Sequence, residues 1–380
     1  MRVELGHKRV VLMLMFFTIS FLIFSKSISV SILNNEDLNK CTITILRGSY
    51  TFSQLNKAYV LSKGSKILIQ EGKYITLQDS IRFKIASFKI VGNDYVNNFK
   101  VDFQGQSLKY DDNLLVEWND FRIRFVNEVD LDRYVAGVVE GEAGYNLPLE
   151  YYKLQAILCR TYALKNMNRH LKEGFNLCDK VHCQVYHKKC QKNDIIKATA
   201  ATSGLVVVDH DLELINTTFH SNCGGQTCNS EDVWITPVTY LRSVKDSFCN
   251  FSPHFNWEKQ LSQREFISAF SQNKPVDSLV YDSLISFCQD TARFQKKNLH
   301  SIKLTKVRSA LDLKSTFFSV EKQGENLMLF GRGFGHGVGL CQEGGIEMAK
   351  QSYSYVDILK YYYTKVFIVN QRALLFFKEE

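Results

Sequence analysis

Two glutamates, Glu140 and Glu142, stand among small residues in the segment Val138-Val139-Glu140-Gly141-Glu142-Ala143-Gly144. An acid set between glycines, after a strand-like run at 121–126 and before a helical stretch opening near Leu147, is placed as catalytic carboxyls commonly are. On these seven residues alone a solvated acidic turn is the plainer reading. The two acids lack the helical i,i+4 spacing, so they do not read as the carboxylate dyad of a two-acid glycosidase.

A second constellation follows, with His170, Cys178, His182, Cys183, His187 and Cys190 in one short loop. Thiolates and imidazoles at this density are what a tetrahedral zinc site requires, and four residues separate Cys178 from Cys183. His170 and His182 complete a closed, structural shell, with His187 and Cys190 as competing ligands. A Cys178–Cys190 disulfide and unlinked thiols are the alternatives. Cys223, Cys228 and Cys249 form a further group, while Cys159 falls on an apolar helical face and reads as an inert core thiol.

Two glycine-bearing stretches could admit a ligand. His220-Ser221-Asn222-Cys223-Gly224-Gly225 places a Gly-Gly pair beside polar donors, which permits close backbone approach. A Ser-His-acid hydrolase is weighed against this and disfavoured: neighbouring residues rarely supply both nucleophile and base, and no G-x-S-x-G elbow exists. The run Gly331-Arg332-Gly333-Phe334-Gly335-His336-Gly337-Val338-Gly339-Leu340 fails the G-x-G-x-x-G spacing, so no dinucleotide or other organic cofactor is expected. Its alternation predicts an extended strand with a bare glycine face, against which a backbone or a flat sugar chain could lie.

These residues must be positioned by a full-sized fold. The chain has 380 residues, 45% of them hydrophobic, enough for a substantial core and two domains. Short apolar runs at 41–46, 66–70, 87–91, 99–103 and 121–126, separated by turn formers, predict a β-rich platform over 27–125. From 126 to 370 the pattern is mixed: a helix over 147–172 capped by Asn146, a helix end and strand over 198–208, a strand over 212–218, and a helix through Tyr363 opened by a capping box at Ser354 and Asp357. The expected class is therefore α+β, with a short tail at 371–380.

Arg2, Lys8 and Arg9 precede an apolar run over residues 10–24, the pattern of a signal peptide or retained N-terminal anchor over 1–26. The protein is expected to be exported to the periplasm or cell envelope, with the membrane touched only through that segment. The formal charge of +8 is spread out, and no like-charge block points to nucleic acid.

The motifs between about residues 125 and 370, taken together and in order, resemble those of the stage II sporulation protein D/LytB (SpoIID/LytB) family. They are the 127–139 segment, Arg160-Thr161-Tyr162-Ala163, the loop from Cys178 to Tyr186, His220-Ser221 with Gly224-Gly225, and the stretch from Gly331 to Gln342. The resemblance implies a peptidoglycan lytic transglycosylase that leaves 1,6-anhydro-muramyl ends, in some members on strands lacking stem peptides. It places the catalytic glutamate on Glu142, a structural zinc site on His170, Cys178, His182 and Cys183, and sugar contacts on Gln184, Tyr186, His220, Ser221, Gly224, Gly225, Gly335, His336 and Gly337. It leaves Cys223 and Cys341 as a local disulfide or a thiol pair. The expected partners are glycan strands and a cell-wall amidase. Two other readings stand beside it: a non-catalytic wall-binding enhancer of an amidase, and a structural zinc-bearing envelope protein.

Overall fold

The computed structural model describes residues 26–378 apart from 35, 37, 39, 55–56, 71–72, 120–121, 272–277, 290–292, 294–297 and 300–301. The expected N-terminal signal or anchor lies outside the described residues, and among those described no helix is long and apolar enough to cross a membrane.

The architecture is α+β. The apolar runs become strands in two antiparallel sheets that share one core. One sheet orders the strands Lys57–Leu61, Tyr50–Gln54, Ser87–Gly92, Asn113–Asn119, Arg122–Asp130 and Ser27–Ile32 side by side. The other orders Ile81–Lys84, Tyr74–Leu77, Lys66–Gln70, Cys41–Arg47, Asn98–Phe103 and Gln106–Asp111. Alternation explains the packing: in Asn98–Phe103 every second residue, Phe99, Val101 and Phe103, is buried. Tyr50 meets Phe99 edge to face, and Phe52 meets Phe83, from one sheet to the other. The first strand also pairs in parallel with Leu177–Cys178, so the sheet runs directly into the cysteine-rich loop.

Helix α1 spans Leu131–Ala143, opened by Asp130, whose carboxylate accepts from the Arg133 N–H at 2.9 Å. The acids therefore lie on a helix and not in a turn. Gly137 and Gly141 are each worth about 1 kcal/mol against a helix, but tertiary packing overrides that cost. A Cβ on Gly137 would sit 2.6 Å from the Tyr186 ring, and one on Gly141 would sit 2.9 Å from the Val185 carbonyl. The glycines are there for close approach of the 185–188 segment, not for flexibility.

Helix α2 spans Leu149–Lys165, shorter at both ends than expected. Asn146 has a left-handed backbone (φ 59°), and Pro148 occupies the cap position. Nor is α2 amphipathic. Tyr152, Ala156, Cys159 and Ala163 pack into the β-platform core, while Tyr151, Leu154, Ile157 and Leu158 pack into a second core with Val338, Leu340 and Tyr362. Cys159 is fully buried, as expected. Within α2, Arg160 is completely buried: it pairs with Asp132 at 2.7 Å and donates to the carbonyls of Thr199 and Leu205, tying α2 to α1 and to the Asn193–Ala201 helix, α3.

After α3 the strand Leu205–Val208 pairs with Phe367–Asn370. The strand expected over 212–218 is reduced to one bridge, Val208 to Leu214. A three-stranded sheet, Asn256–Ser262, Asn326–Arg332 and Phe318–Gln323, carries its own core around Trp257, Phe266, Val307 and Leu329. The capping box forms as read, with Ser354 and Asp357 opening the helix Tyr355–Tyr362. Residues 371–378 form a helix whose Leu374 is buried.

The glycine run corrects another expectation. Its strand stops at Arg332, and Gly333, Gly335, Gly337 and Gly339 have φ of 81°, 113°, 83° and 74°. Such values belong to a coiled loop, not to a flat strand. Nor is the face bare: a Cβ on Gly335 would lie 2.8 Å from the His220 Cβ, and one on Gly339 would lie 2.2 Å from the Thr218 carbonyl oxygen. The glycines pack against their own chain.

Candidate active site

Two residues apart on α1, Glu140 and Glu142 point to different surroundings. Glu140 is buried; its Oε2 accepts the Gln191 N–H at 2.6 Å, and its Oε1 lies 3.8 Å from the Lys188 ammonium. It is a structural acid. Glu142 is half-buried in the last turn, with Oε1 accepting the Val185 N–H at 3.0 Å. Among the described residues nothing bonds its Oε2. Burial raises the Glu142 pKa above the usual carboxyl value, opposed by the Val185 N–H and by nearby His187. The cavity beside this turn, about 380 Å³, is lined by Glu140, Gly141, Gly144, Tyr145 and His187, so Glu140 and not Glu142 is on its wall.

The opposite side of Glu142 is met by the helix Gln342–Lys350, whose Gln342 side chain donates to the Glu142 carbonyl at 3.5 Å. The next residue, Glu343, donates its N–H to the Ser221 carbonyl at 3.0 Å. The short strand Phe219–His220 runs parallel to Leu340–Cys341, which carries His220 and Ser221 to the same helix start. His220 is buried, its Nδ1 lies 3.3 Å from the Val338 carbonyl, and its Nε2 has no partner among the described residues. Burial holds both His220 and the adjacent His336 below the ordinary imidazole range, the latter at about 4, so both rings are neutral. With Nδ1 donating to the carbonyl, His220 Nε2 is a buried acceptor without a partner among the described residues, so His220 backs the site and does not face a sugar. Among the described residues, Ser221 and His220 form no hydrogen-bonded couple.

Not every expected contact is available. Gln184 is buried, donating to the Cys159 carbonyl and accepting from Tyr134, and Tyr186 is fully buried with its hydroxyl on Asn127. Both are core residues that hold the 185–188 segment on α1, so neither can reach a sugar. Gly224 and Gly225 line a different cavity, about 550 Å³, with Phe255, Phe317 and Arg332. Gly337 is packed against Arg293. Of the predicted set, the structure gathers His220, Gly335 and His336 at one place and joins it through Ser221 and the start of the Gln342 helix to Glu142.

Three residues went unread in the sequence. Val185 acts through its backbone and leaves no side-chain signal. Gln342 closes the glycine run in sequence, and its contact with Glu142 spans 200 residues. Trp234, 39% exposed, lies 5.5 Å from the His336 ring and offers an aromatic face for a sugar; an exposed tryptophan near the Gly-Gly segment was the available clue.

The zinc-type residues converge. Ligand atoms of His170, Cys178, His182 and Cys183 all lie within 4.8 Å of one another. Cys183 Sγ is 3.4 Å from His170 Nε2 and 3.6 Å from His182 Nδ1, and Glu173 holds the other His170 nitrogen at 2.5 Å, the outer-shell carboxylate a metal-bound imidazole usually has. The donor set and its closeness fit a tetrahedral cation. Cys190 is elsewhere, against the Lys192 carbonyl, and all ten cysteines are free thiols, so neither the Cys178–Cys190 disulfide nor a Cys223–Cys341 disulfide forms.

Comparison with known proteins agrees with this organisation. Residues 119–208, which include α1, α2 and the cysteine loop, match the SpoIID family, described as stage II sporulation protein. The chain is 30% identical over 271 residues to stage II sporulation protein D of Bacillus amyloliquefaciens, covering 66% of this chain and 77% of that one. It is 28% identical over 354 residues to an uncharacterized protein of Brachyspira hyodysenteriae, covering 88% and 94% respectively. It is also 26% identical over 284 residues to the amidase enhancer of Bacillus subtilis, covering 60% of this chain and 39% of that one. By these similarities, and by the motifs on α1, α2 and the loops around Glu142, the chain belongs to the SpoIID/LytB family.

Proposed function

We propose that the protein cleaves peptidoglycan glycan strands as a lytic transglycosylase, with Glu142 as the single acid/base. A cell-wall-related role accords with its family. The observation that carries the finer reading is the state of Glu142: one oxygen is held by the Val185 N–H, the other is uncommitted, and burial favours the protonated form. Such an acid first donates its proton to the glycosidic oxygen. As a carboxylate it then takes the proton from the muramyl 6-hydroxyl while that oxygen attacks its own anomeric carbon. The cycle needs neither a second acid nor a water, consistent with Glu140 being occupied by Gln191 and Lys188. Neutral His336 and the exposed Trp234 beside it form the sugar-binding wall, with buried His220 packed behind His336.

His170, Cys178, His182 and Cys183 hold a structural zinc ion in this reading. Bound there, it would supply no chemistry to the sugar; it would pin the loop whose Val185 N–H holds Glu142. The protein acts outside the cytoplasm, on the strength of its N-terminal charge and apolar pattern.

A second reading, a non-catalytic partner of a wall amidase, is favoured by the similarity to an amidase enhancer. Incubating the wild type and Glu142→Gln with glycan strands, with and without stem peptides, and searching for anhydro-ended fragments by mass spectrometry separates the two. Anhydro products lost in the variant support catalysis, products unchanged by the substitution refute the role of Glu142, and no products from either protein favour the enhancer.

A further inference from the structure

Three thiols and a carboxylate meet where the Cys341 strand opens the Gln342 helix. Cys223 lies in the loop after His220, Asp246 and Cys249 lie in the loop before the Asn256–Ser262 strand, and Cys341 ends the strand that opens the Gln342 helix. All four are at most 1% exposed. Their ligand atoms lie within 4.8 Å of one another. Cys223 Sγ is 3.5 Å from Cys249 Sγ and 3.2 Å from Asp246 Oδ2. Zinc bonds of about 2.3 Å to sulfur and about 2.0 Å to oxygen give tetrahedral edges of roughly 3.8 Å between sulfurs and roughly 3.5 Å from sulfur to oxygen. The observed separations are those edges, slightly contracted, and a disulfide would need its two sulfurs at about 2.05 Å.

The surroundings are built for anionic ligands. Cys341 Sγ accepts backbone N–H groups from Cys223 at 3.3 Å and Gly344 at 3.4 Å. Asp246 Oδ1 accepts the Phe248 N–H at 2.9 Å, and its Oδ2 accepts the Tyr362 hydroxyl at 2.8 Å. Gly344 keeps the space open, since a Cβ there would stand 2.2 Å from the Tyr362 hydroxyl and 2.5 Å from Asp246 Oδ2. The isolated core thiol Cys159 has no such ring of donors, its Sγ lying only near the Gln155 Oε1.

The geometry points to a structural zinc site formed by Cys223, Asp246, Cys249 and Cys341, separate from the His170 cluster. Four protein ligands close its shell. Binding releases the thiol protons to solvent and clamps three segments: the one bearing His220 and Ser221, the 246–249 loop, and the start of the helix bearing Gln342.

The test is a Co2+ titration of the reduced, metal-stripped full chain. Two equivalents are expected, and the sulfur-to-cobalt charge-transfer band should reflect three thiolates at one site and two at the other. Cys178→Ser/Cys183→Ser should retain one equivalent, the three-sulfur one, and Cys223→Ser/Cys249→Ser should lose it. The proposal is overturned if the wild type takes up a single equivalent that Cys178→Ser/Cys183→Ser abolishes, or if peptide mapping of the zinc-supplemented protein finds Cys223 and Cys249 joined as a disulfide. The wild-type titration and the Cys178→Ser/Cys183→Ser variant decide the matter even if Cys223→Ser/Cys249→Ser does not fold.

Discussion

The backbone N–H of Val185 donates to Oε1 of Glu142 at 3.0 Å, joining a helix end to a loop 43 residues further along the chain. That bond fixes the carboxyl and leaves its second oxygen available. It also opposes the rise in pKa that burial imposes, so the loop tunes the acid it holds.

Glu142 and Glu140 should separate cleanly on mutation. Glu142→Gln is expected to lower turnover of glycan strands by about 10²- to 10⁴-fold, the usual range for a general acid/base. Glu140→Ala should retain turnover but lose about 1 kcal/mol of stability, because the hydrogen bond from the Gln191 N–H to the buried Glu140 carboxylate is lost. Fragment analysis and urea unfolding of both variants check this; loss of turnover confined to Glu140→Ala would reverse the assignment.

The pKa direction gives a second expectation. A carboxyl raised in the folded state binds more protons there than in the unfolded chain, so stability falls as pH rises from the ordinary carboxyl range through the raised value and stays lower at neutral pH. Glu142→Gln should therefore melt above the wild type at pH 7, and the gap should close below the ordinary carboxyl range. Turnover should decline as pH climbs through the same raised value. Melting curves at several pH values suffice, and a variant less stable at pH 7 argues against a desolvated acid.

Loss of the zinc ion proposed at His170, Cys178, His182 and Cys183 should reach both stability and activity. A ligand at 1,000 times its Kd stabilises by about 4 kcal/mol, so chelation or Cys183→Ser should lower the melting temperature by many degrees. Turnover should drop as well, because the same loop presents Val185 to Glu142. Calorimetry of Cys183→Ser beside the wild type, each zinc-supplemented, tests this site alone, and an unchanged melting temperature in the variant counts against the metal.

Trp234→Ala probes the sugar wall. The residue is 39% exposed, so stability should change by no more than about 0.5 kcal/mol. Loss of an aromatic face of about 1 kcal/mol should raise KM roughly fivefold with kcat little altered. An unchanged KM would remove Trp234 from the site.

The platform strands were legible because alternation is a local property: the runs at 41–46, 66–70, 87–91 and 99–103 each became a strand within one residue. The convergence of His170, Cys178, His182 and Cys183 was legible from their density in one short segment. What failed was decided by distant packing. The segment 138–144 reads locally as an acidic turn, because nothing near it in sequence shows Tyr186 and Val185 packing on Gly137 and Gly141, the contacts that favour a helix. Helix α2 read as one-sided because no local pattern reveals a second core on its other face. Gln184 and Tyr186 fit a sugar-contact motif, yet their burial came from α1 and Asn127, elements the motif does not contain. The alternating glycines had two solutions, a strand or a left-handed coil, and contacts with Thr218 and His220 selected the second.

The first strand, Ser27–Ile32, finds its parallel neighbour at Leu177–Cys178, with Ser29 and Asn176 locked together at 2.8 Å. Contacts of this range close late, since the entropy of a long loop must be overcome before any bond repays it. A nascent chain therefore cannot finish its earliest strand until the cysteine loop has been made. Docking of that strand and closure of the cysteine loop become one event, and a chain truncated before residue 177 would be left with a half-paired first strand and an exposed edge.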